Sequence, residues 1–144
     1  MRIYLDNCCF NRPFDDQTHF RIRIEAEAKL YVQDLVREGR LELAWSYMLD
    51  HENDANPFKE RRESIESWKQ LATRDVAQVP EVINLANGYV DIGVKPADSL
   101  HIACAIVADC EAFLTTDGQV LGKRNKVNEI TIVDPPAFVR EMIG

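Results

Sequence analysis

The chain has 144 residues, 46% of them hydrophobic, which fits one domain, spanning 1–144, with a sizeable core. Its 24 acidic and 17 basic residues give a formal net charge of -7, unlike the basic footprint of most nucleic-acid-binding domains. The four cysteines show neither a CxxC pair nor a zinc-site spacing, so we expect free thiols. Neither a signal peptide nor an apolar run of roughly 18 residues is visible, and we therefore expect a cytoplasmic protein without a membrane span.

Short apolar runs alternate with helical patterns along the chain. The predicted elements, in chain order, are a strand at 2–6, a loop at 9–17, a helix at 19–38, a strand at 41–45, a helix from 46 to a break at 55–57, a helix at 58–72, a strand at 76–79, helices at 80–93 and 96–109, strands at 112–116 and 130–134, and an amphipathic tail at 136–143. This alternation favours an α/β fold with a mostly parallel sheet covered by helices on both faces.

Ligands of such sheets bind beyond the carboxyl ends of the strands, so those ends are where chemistry is expected. Asp6 ends the first predicted strand, and Asp117 follows the strand that contains AFLTT. Each aspartate alone is typical of a turn or a helix cap. No GxGxxG or GxxxxGK[ST] motif follows a strand, which argues against a nucleotide cofactor.

Glu52 lies within an apolar stripe of the helix that follows the second strand. The other residues of the stripe are Trp45, Met48, Leu49 and Ala55. A carboxylate on this side is costly unless it pairs with a lysine or arginine or binds a cation, and both alternatives stay open. Asp50 and Asp54 point away from the stripe, and we expect them to be solvated.

The segment KPADSLHIACAIVADC is predicted to form a buried helix, because it is apolar nearly all round. Asp98 lies in its first turn, where the helix dipole favours a negative charge. His101 lies one turn later on the same side. A lone histidine in such a helix is usually a hydrogen-bonded core residue, and we assign it no catalytic role.

Four carboxylates thus come from separate places in the sequence: Asp6, Glu52, Asp98 and Asp117. Hard divalent cations such as Mg2+ and Mn2+ prefer oxygen ligands of this kind and can activate water beside a phosphodiester. Neither GxSxG nor HExxH occurs, so a nucleophilic serine or a zinc protease fits less well.

Four segments together resemble the PIN domain, the nuclease fold of VapC-like toxins: YLDNCCFNRP, SYMLDHEND, KPADSLHIACA and FLTTD. The resemblance implies a three-layer α/β/α sandwich, PIN-like and Rossmann-like. It also implies metal-dependent cleavage of single-stranded RNA by activated water, leaving a 5′-phosphate and a 3′-hydroxyl. The acids that match the family's catalytic and metal-binding positions are Asp6, Glu52, Asp98 and Asp117. Thr115 and Asn7 match positions that support this site, and Arg12 is a candidate contact to substrate phosphate.

The resemblance further implies a toxin of a type II toxin–antitoxin pair that forms a homodimer, although the sequence leaves the existence of an antitoxin open.

Many PIN domains carry another acid shortly after the last aspartate, whereas Gly118, Gln119 and Val120 follow here. We therefore expect one tightly held Mg2+ or Mn2+ ion, with another arriving alongside the RNA. Lys123, Arg124 and Lys126 form a small basic group after Asp117, beside an RNA path or merely in solvent.

Three alternatives stay open from the sequence. One is a receiver-like, non-catalytic Mg2+-binding module, which would have a second acid near the first strand. Another is a haloacid-dehalogenase-type phosphatase, whose DxD motif would need an aspartate where Cys8 stands. The last is a degenerate PIN fold that serves only as an interaction module, a reading that the presence of all four acids argues against.

Overall fold

A computed structural model describes residues 1–143 and shows the predicted alternation of strands and helices. The strands are β1 (Arg2–Leu5), β2 (Glu42–Ser46), β3 (Arg74–Val76), β4 (Ala112–Leu114) and β5 (Thr131–Val133). The α-helices are α1 (Asn7–Asn11), α2 (Phe20–Arg37), α3 (Tyr47–Asp54), α4 (Lys59–Ser67), α5 (Pro80–Asp91), α6 (Pro96–Val107), α7 (Gly118–Leu121) and α8 (Pro135–Phe138). Short 3-10 turns occupy Arg12–Phe14, Trp68–Leu71 and Arg124–Lys126, and a π-helical segment covers Val139–Ile143. None of the helices within this described part is long and apolar enough to cross a membrane.

The five strands form one parallel sheet in the order β3-β2-β1-β4-β5. The central strand is β1, whose residues Ile3, Tyr4 and Leu5 are fully buried. A strand that is buried on both faces has a continuous run of apolar residues, as Ile3, Tyr4 and Leu5 do. The sheet is therefore covered on both sides, as the sequence predicted.

Helices cover the sheet in two layers. On one side α5 packs against α6, and α6 crosses β2 and β4. Helix α2 packs against α8, and the right-handed rule for parallel crossovers puts this pair on the opposite face. The result is the three-layer α/β/α sandwich expected of a PIN-like fold.

The order of the strands fixes where a ligand can bind. From β1 the chain crosses to β2 on one side, whereas from β4 it crosses to β5 on the other side. The two connections diverge, so a crevice opens between the carboxyl ends of β1 and β4. Asp6 follows β1 and Asp117 lies shortly after β4, so both aspartates lie at this crevice.

The predicted loop at 9–17 was wrong in its first part. The Asp6 side chain accepts a hydrogen bond from the Asn7 backbone N–H and caps α1, so the chain enters a helix directly after β1. Pro13 then lies in the first turn of the 3-10 segment, where its missing N–H costs nothing. The third strand was predicted at 76–79 but lies at Arg74–Val76. Val79 occupies the N-cap position of α5 instead.

Candidate metal centre

Asp6 is held in place from three directions although its side chain lies at a strand end. It is 7% exposed. The Thr115 hydroxyl donates to Asp6 Oδ2 at 2.9 Å, and the Asn7 N–H donates to Oδ1 at 2.8 Å. The Cys8 thiol lies 3.5 Å from Oδ2. Thr115, at the end of β4, thereby joins the two strand ends that flank the crevice.

Glu52 reaches the same crevice from α3, where its side chain is 30% exposed. Its Oε1 lies 2.5 Å from His101 Nε2 on α6. The partner of Glu52 is therefore a histidine, and the alternative of a lysine or arginine partner was wrong.

His101 is almost completely buried, at 1% exposed. Its Nδ1 lies 2.6 Å from the Tyr4 hydroxyl, which lies 2.6 Å from the Ser46 hydroxyl. A carboxylate can only accept, so we assign a proton to His101 Nε2, which then donates to Glu52. When the ring is neutral, Tyr4 donates to Nδ1; when the ring is protonated, Nδ1 donates to Tyr4. In both states the chain from Ser46 through Tyr4 and His101 fixes the orientation of Glu52.

Sequence reasoning missed this role of His101. It expected a hydrogen-bonded core histidine, which is correct, but it could not identify the partners. The sequence did contain a signal for this pair: His101 is a polar residue in the apolar α6, and Glu52 is a carboxylate in the apolar stripe of α3. Two uncompensated polar groups on elements packed on one sheet indicate a buried pair.

Asp98 and Asp117 complete the group from the more open side of the crevice, and both are half-buried. Burial raises the pKa of Asp98 to about 6, and the charges of Asp6 and Asp117 contribute to the rise. The charge of Glu52 raises it further, while His101 lowers it. Asp117 also caps α7, because its Oδ1 accepts from the Gln119 N–H at 2.8 Å. The charges of the other three predicted acids thus act on Asp98, but among the described residues only Asp6, Glu52 and His101 bring ligand atoms within 4.8 Å of one another.

The donor set fits a hard divalent cation. Ligand atoms of Asp6, Glu52 and His101 lie within 4.8 Å of one another. Both ring nitrogens of His101 are already engaged, so the carboxylates are the better ligands and His101 is a positioning residue. Next to Asp6 in the chain, the buried Asn7 Oδ1 has no hydrogen-bond partner among the described residues. Concentrated negative charge and free oxygen acceptors are what such a cation requires.

The two other acids of α3 differ from each other. Asp54 is exposed, as expected. Asp50 is not simply solvated: its Oδ1 accepts from the Trp45 indole at 2.9 Å, and its Oδ2 lies 3.1 Å from Lys69 Nζ. The prediction of a solvated Asp50 was therefore wrong, because the indole of the buried Trp45 needs an acceptor.

Arg12 is engaged in two ion pairs. Its Nε contacts Glu25 at 3.2 Å and its Nη1 contacts Asp15 at 3.0 Å. The pair with Glu25 ties the 3-10 turn to α2, whereas Asp15 directly follows the turn. A substrate contact by Arg12 stays a prediction.

The cysteines are free thiols in the structure. Cys9, Cys104 and Cys110 are buried, as expected for core residues. Cys8 is half-buried, and its sulfur contacts Asp6 Oδ2 and accepts from the Thr116 N–H at 3.3 Å. Burial and a soft sulfur both argue against a role as ligand to a hard cation.

Comparison with known proteins agrees with this geometry. A family model described as PIN domain matches residues 3–125. Among solved structures, the crystal structure of VapBC2 from Rickettsia felis bound to a DNA fragment from their promoter contains a chain of similar fold. That chain superposes with a TM-score of 0.58 at 10% sequence identity, covering 92% of this chain and 97% of the other. A comparison with curated proteins finds no match.

Proposed function

Because the chain belongs to the PIN domain family, we propose that it is a metal-dependent endoribonuclease that cleaves phosphodiester bonds of single-stranded RNA. The observation that carries this proposal is the convergence of four carboxylates at the switch point of a parallel sheet. Burial, together with the charges of Asp6, Asp117 and Glu52, raises the pKa of Asp98 to about 6, and a bound cation would compensate this cost of ionising the carboxyl group.

We assign Asp6, Glu52 and Asp98 as the residues that hold Mg2+ or Mn2+, while Asp117 completes the site or orients a water. A bound divalent cation would supply charge neutralisation at the phosphate and a more acidic water. Thr115 and Asn7 keep the Asp6 carboxylate facing the crevice through their bonds to its two oxygens. His101 does the same for Glu52.

We further propose that the protein is the toxin of a type II toxin–antitoxin pair and acts in the cytoplasm, where its four thiols stay reduced. The fold shared with a chain of the VapBC2 structure supports an antitoxin partner. A homodimer is expected as well, and exposed apolar side chains of α2 such as Phe20 and Tyr31 provide surface for either contact.

The test is cleavage of a set of single-stranded RNAs by the purified protein, in Mn2+ or in EDTA, beside an Asp6→Asn variant. We expect cleavage in Mn2+ only, new 5′-phosphate ends, and a loss on the order of 100-fold or more in the variant, because one ligand of the cation is gone. Asparagine still caps α1, so the fold should survive. Equal cleavage by the variant would refute the proposed site. The absence of cleavage of every RNA would favour a non-catalytic module.

A further inference from the structure

A cleft of about 420 Å³ opens directly beside Asp98, between the start of α6 and α7. This volume lies within the range of roughly 300–1,000 Å³ that is usual for ligand sites. Its lining includes Gly118, which follows Asp117 in the chain, so the cleft is continuous with the acid cluster. A larger depression of about 920 Å³ runs along β5, but none of the four acids lines it.

Two lysines line the cleft, Lys95 on one side and Lys123 on the other. Neither contacts a carboxylate within 4.0 Å among residues 1–143, whereas Lys59 and Lys69 elsewhere each do. Lys123 is nevertheless half-buried. Lys95 is exposed, so both ammonium groups are free to pair with an anionic ligand that enters the cleft.

Gly93 shapes the position of Lys123. Its φ of +98° lies in the region that favours glycine, and a Cβ added there would lie 3.3 Å from Lys123 Nζ. The ammonium therefore rests against the backbone of the turn between α5 and α6. A side chain at position 93 would therefore crowd the ammonium at the cleft.

The lysines of the cleft could explain how an acidic protein binds RNA. The chain carries a net charge of -7, so no long-range field attracts a polyanion, and the acid cluster itself repels one. A nuclease with this charge needs local cations next to the scissile bond. Lys95 and Lys123 are lysines without a carboxylate partner that adjoin Asp98 in the described part of the chain.

We propose that Lys95 and Lys123 bind backbone phosphates of single-stranded RNA next to the scissile bond. This inference rests on the proposed function and adds the direction in which the RNA leaves the acid cluster, across α7 and the turn before α6. Phosphate contacts of this kind position the chain and carry no base specificity.

The experiment measures binding of a fluorescent six-nucleotide single-stranded RNA by anisotropy over a range of salt concentrations, in EDTA and in Mg2+. A gel after each titration confirms that the probe is intact. The variants are Lys95→Ala and Lys123→Ala, and the control is Lys126→Ala, which removes an exposed lysine outside the cleft. In EDTA the proposed nuclease is inactive, so binding there is read without cleavage and its outcome is separate from that of the nuclease test.

Each cleft variant should lower the slope of log K against log[salt] by about 0.7, the value for one lost contact on a single strand. At about 0.1 M salt this corresponds to a roughly 5-fold weaker affinity. Lys126→Ala should match the wild type. Equal slopes for all three variants would overturn the proposal, as would the absence of RNA binding by the wild type in both buffers. Equal competition by hexaglutamate would also overturn it, because the lysines would then recognise acidic peptide as well as phosphate.

Discussion

Two regions of the molecule bury charge, and they do so in opposite ways. At the carboxyl edge of the sheet, Asp6 and Glu52 are each held by hydrogen bonds from buried neighbours. Between α2 and α1, Lys29 is 3% exposed and its only hydrogen bond among the described residues goes to Gln33, at 2.7 Å. Burial lowers the pKa of Lys29 to about 8.

Two features distinguish the ligand site from a packing defect. The carboxylates converge from four elements, and the groups around them are arranged to orient them. Lys29 lies among apolar side chains, with its ammonium 5.8 Å from the Phe10 ring centroid, and the Gln33 Nε2 beside it has no partner within the described chain. The first arrangement is organised for a ligand, and the second is a cost that the fold tolerates.

The largest expected effect is on stability and comes from replacing this lysine. A double variant, Lys29→Met with Gln33→Leu, removes the charge and the amide that would otherwise lose its donor. The folded-state pKa lies below the ordinary value of 10.5, so protonation of Lys29 opposes folding below about pH 8 and the penalty disappears as the pH rises to 10.5. We expect the free energy of unfolding at pH 7 to rise by about 3 kcal/mol.

Denaturant unfolding between pH 7 and pH 10.5 measures this effect, with Lys59→Met as the exposed control. The gain over the wild type should shrink steadily above pH 8. A gain that is independent of pH would show that Lys29 is neutral in the folded protein or better solvated than its burial indicates. RNA cleavage should not change, which separates this region from the acid cluster.

The next effect concerns the hydrogen-bond chain behind Glu52. We expect His101→Ala and Tyr4→Phe to raise the Mn2+ concentration for half-maximal cleavage by about 10–100-fold, as is usual for groups that orient metal ligands. His101→Gln keeps an N–H donor near Glu52 and should recover part of the loss. A titration of cleavage rate against Mn2+ gives these values.

Ile102→Val is the control for this series, because Ile102 is fully buried on the same helix and its truncation costs only about 1 kcal/mol. If His101 had a purely structural role, His101→Ala would behave like Ile102→Val. Both variants would give less active protein, and the Mn2+ dependence of cleavage would not change. That result would place His101 with Lys29, as a buried polar group without a function.

The sequence predicted the sheet class, the longer helices and four candidate acids, because each depends on local patterns of charge and polarity. It could not predict the bond between Tyr4 and His101, which joins residues 97 apart in the sequence. Periodicity also gave no sign that Asp50 serves Trp45 while Glu52 serves His101, since that depends on what faces each side of α3. Helix α1 was missed because Pro13 and the aspartates around it outweighed the capping signal of Asp6.

A smaller effect tests whether the acids repel one another. In EDTA, Asp98→Asn should raise the Tm by about 2–4 °C, because it removes one of several like charges. In Mn2+ the wild type should gain stability and the variant should gain less, since ligand binding stabilises only through the folded state. Asp54→Asn, at an exposed site on α3, should change neither value. A lower Tm for Asp98→Asn in EDTA would mean that its contacts outweigh the repulsion.

The central claim is that the crevice between β1 and β4 binds a divalent cation through carboxylates that include Glu52. Calorimetric titration of Mn2+ into the wild type, Glu52→Gln and Asp50→Asn tests it most directly, because the two variants make the same chemical change two residues apart on α3. We predict that Glu52→Gln weakens Mn2+ binding by about 10-fold or more and that Asp50→Asn leaves it within about twofold. Equal losses in the two variants, or no binding of Mn2+ by the wild type, would contradict the account.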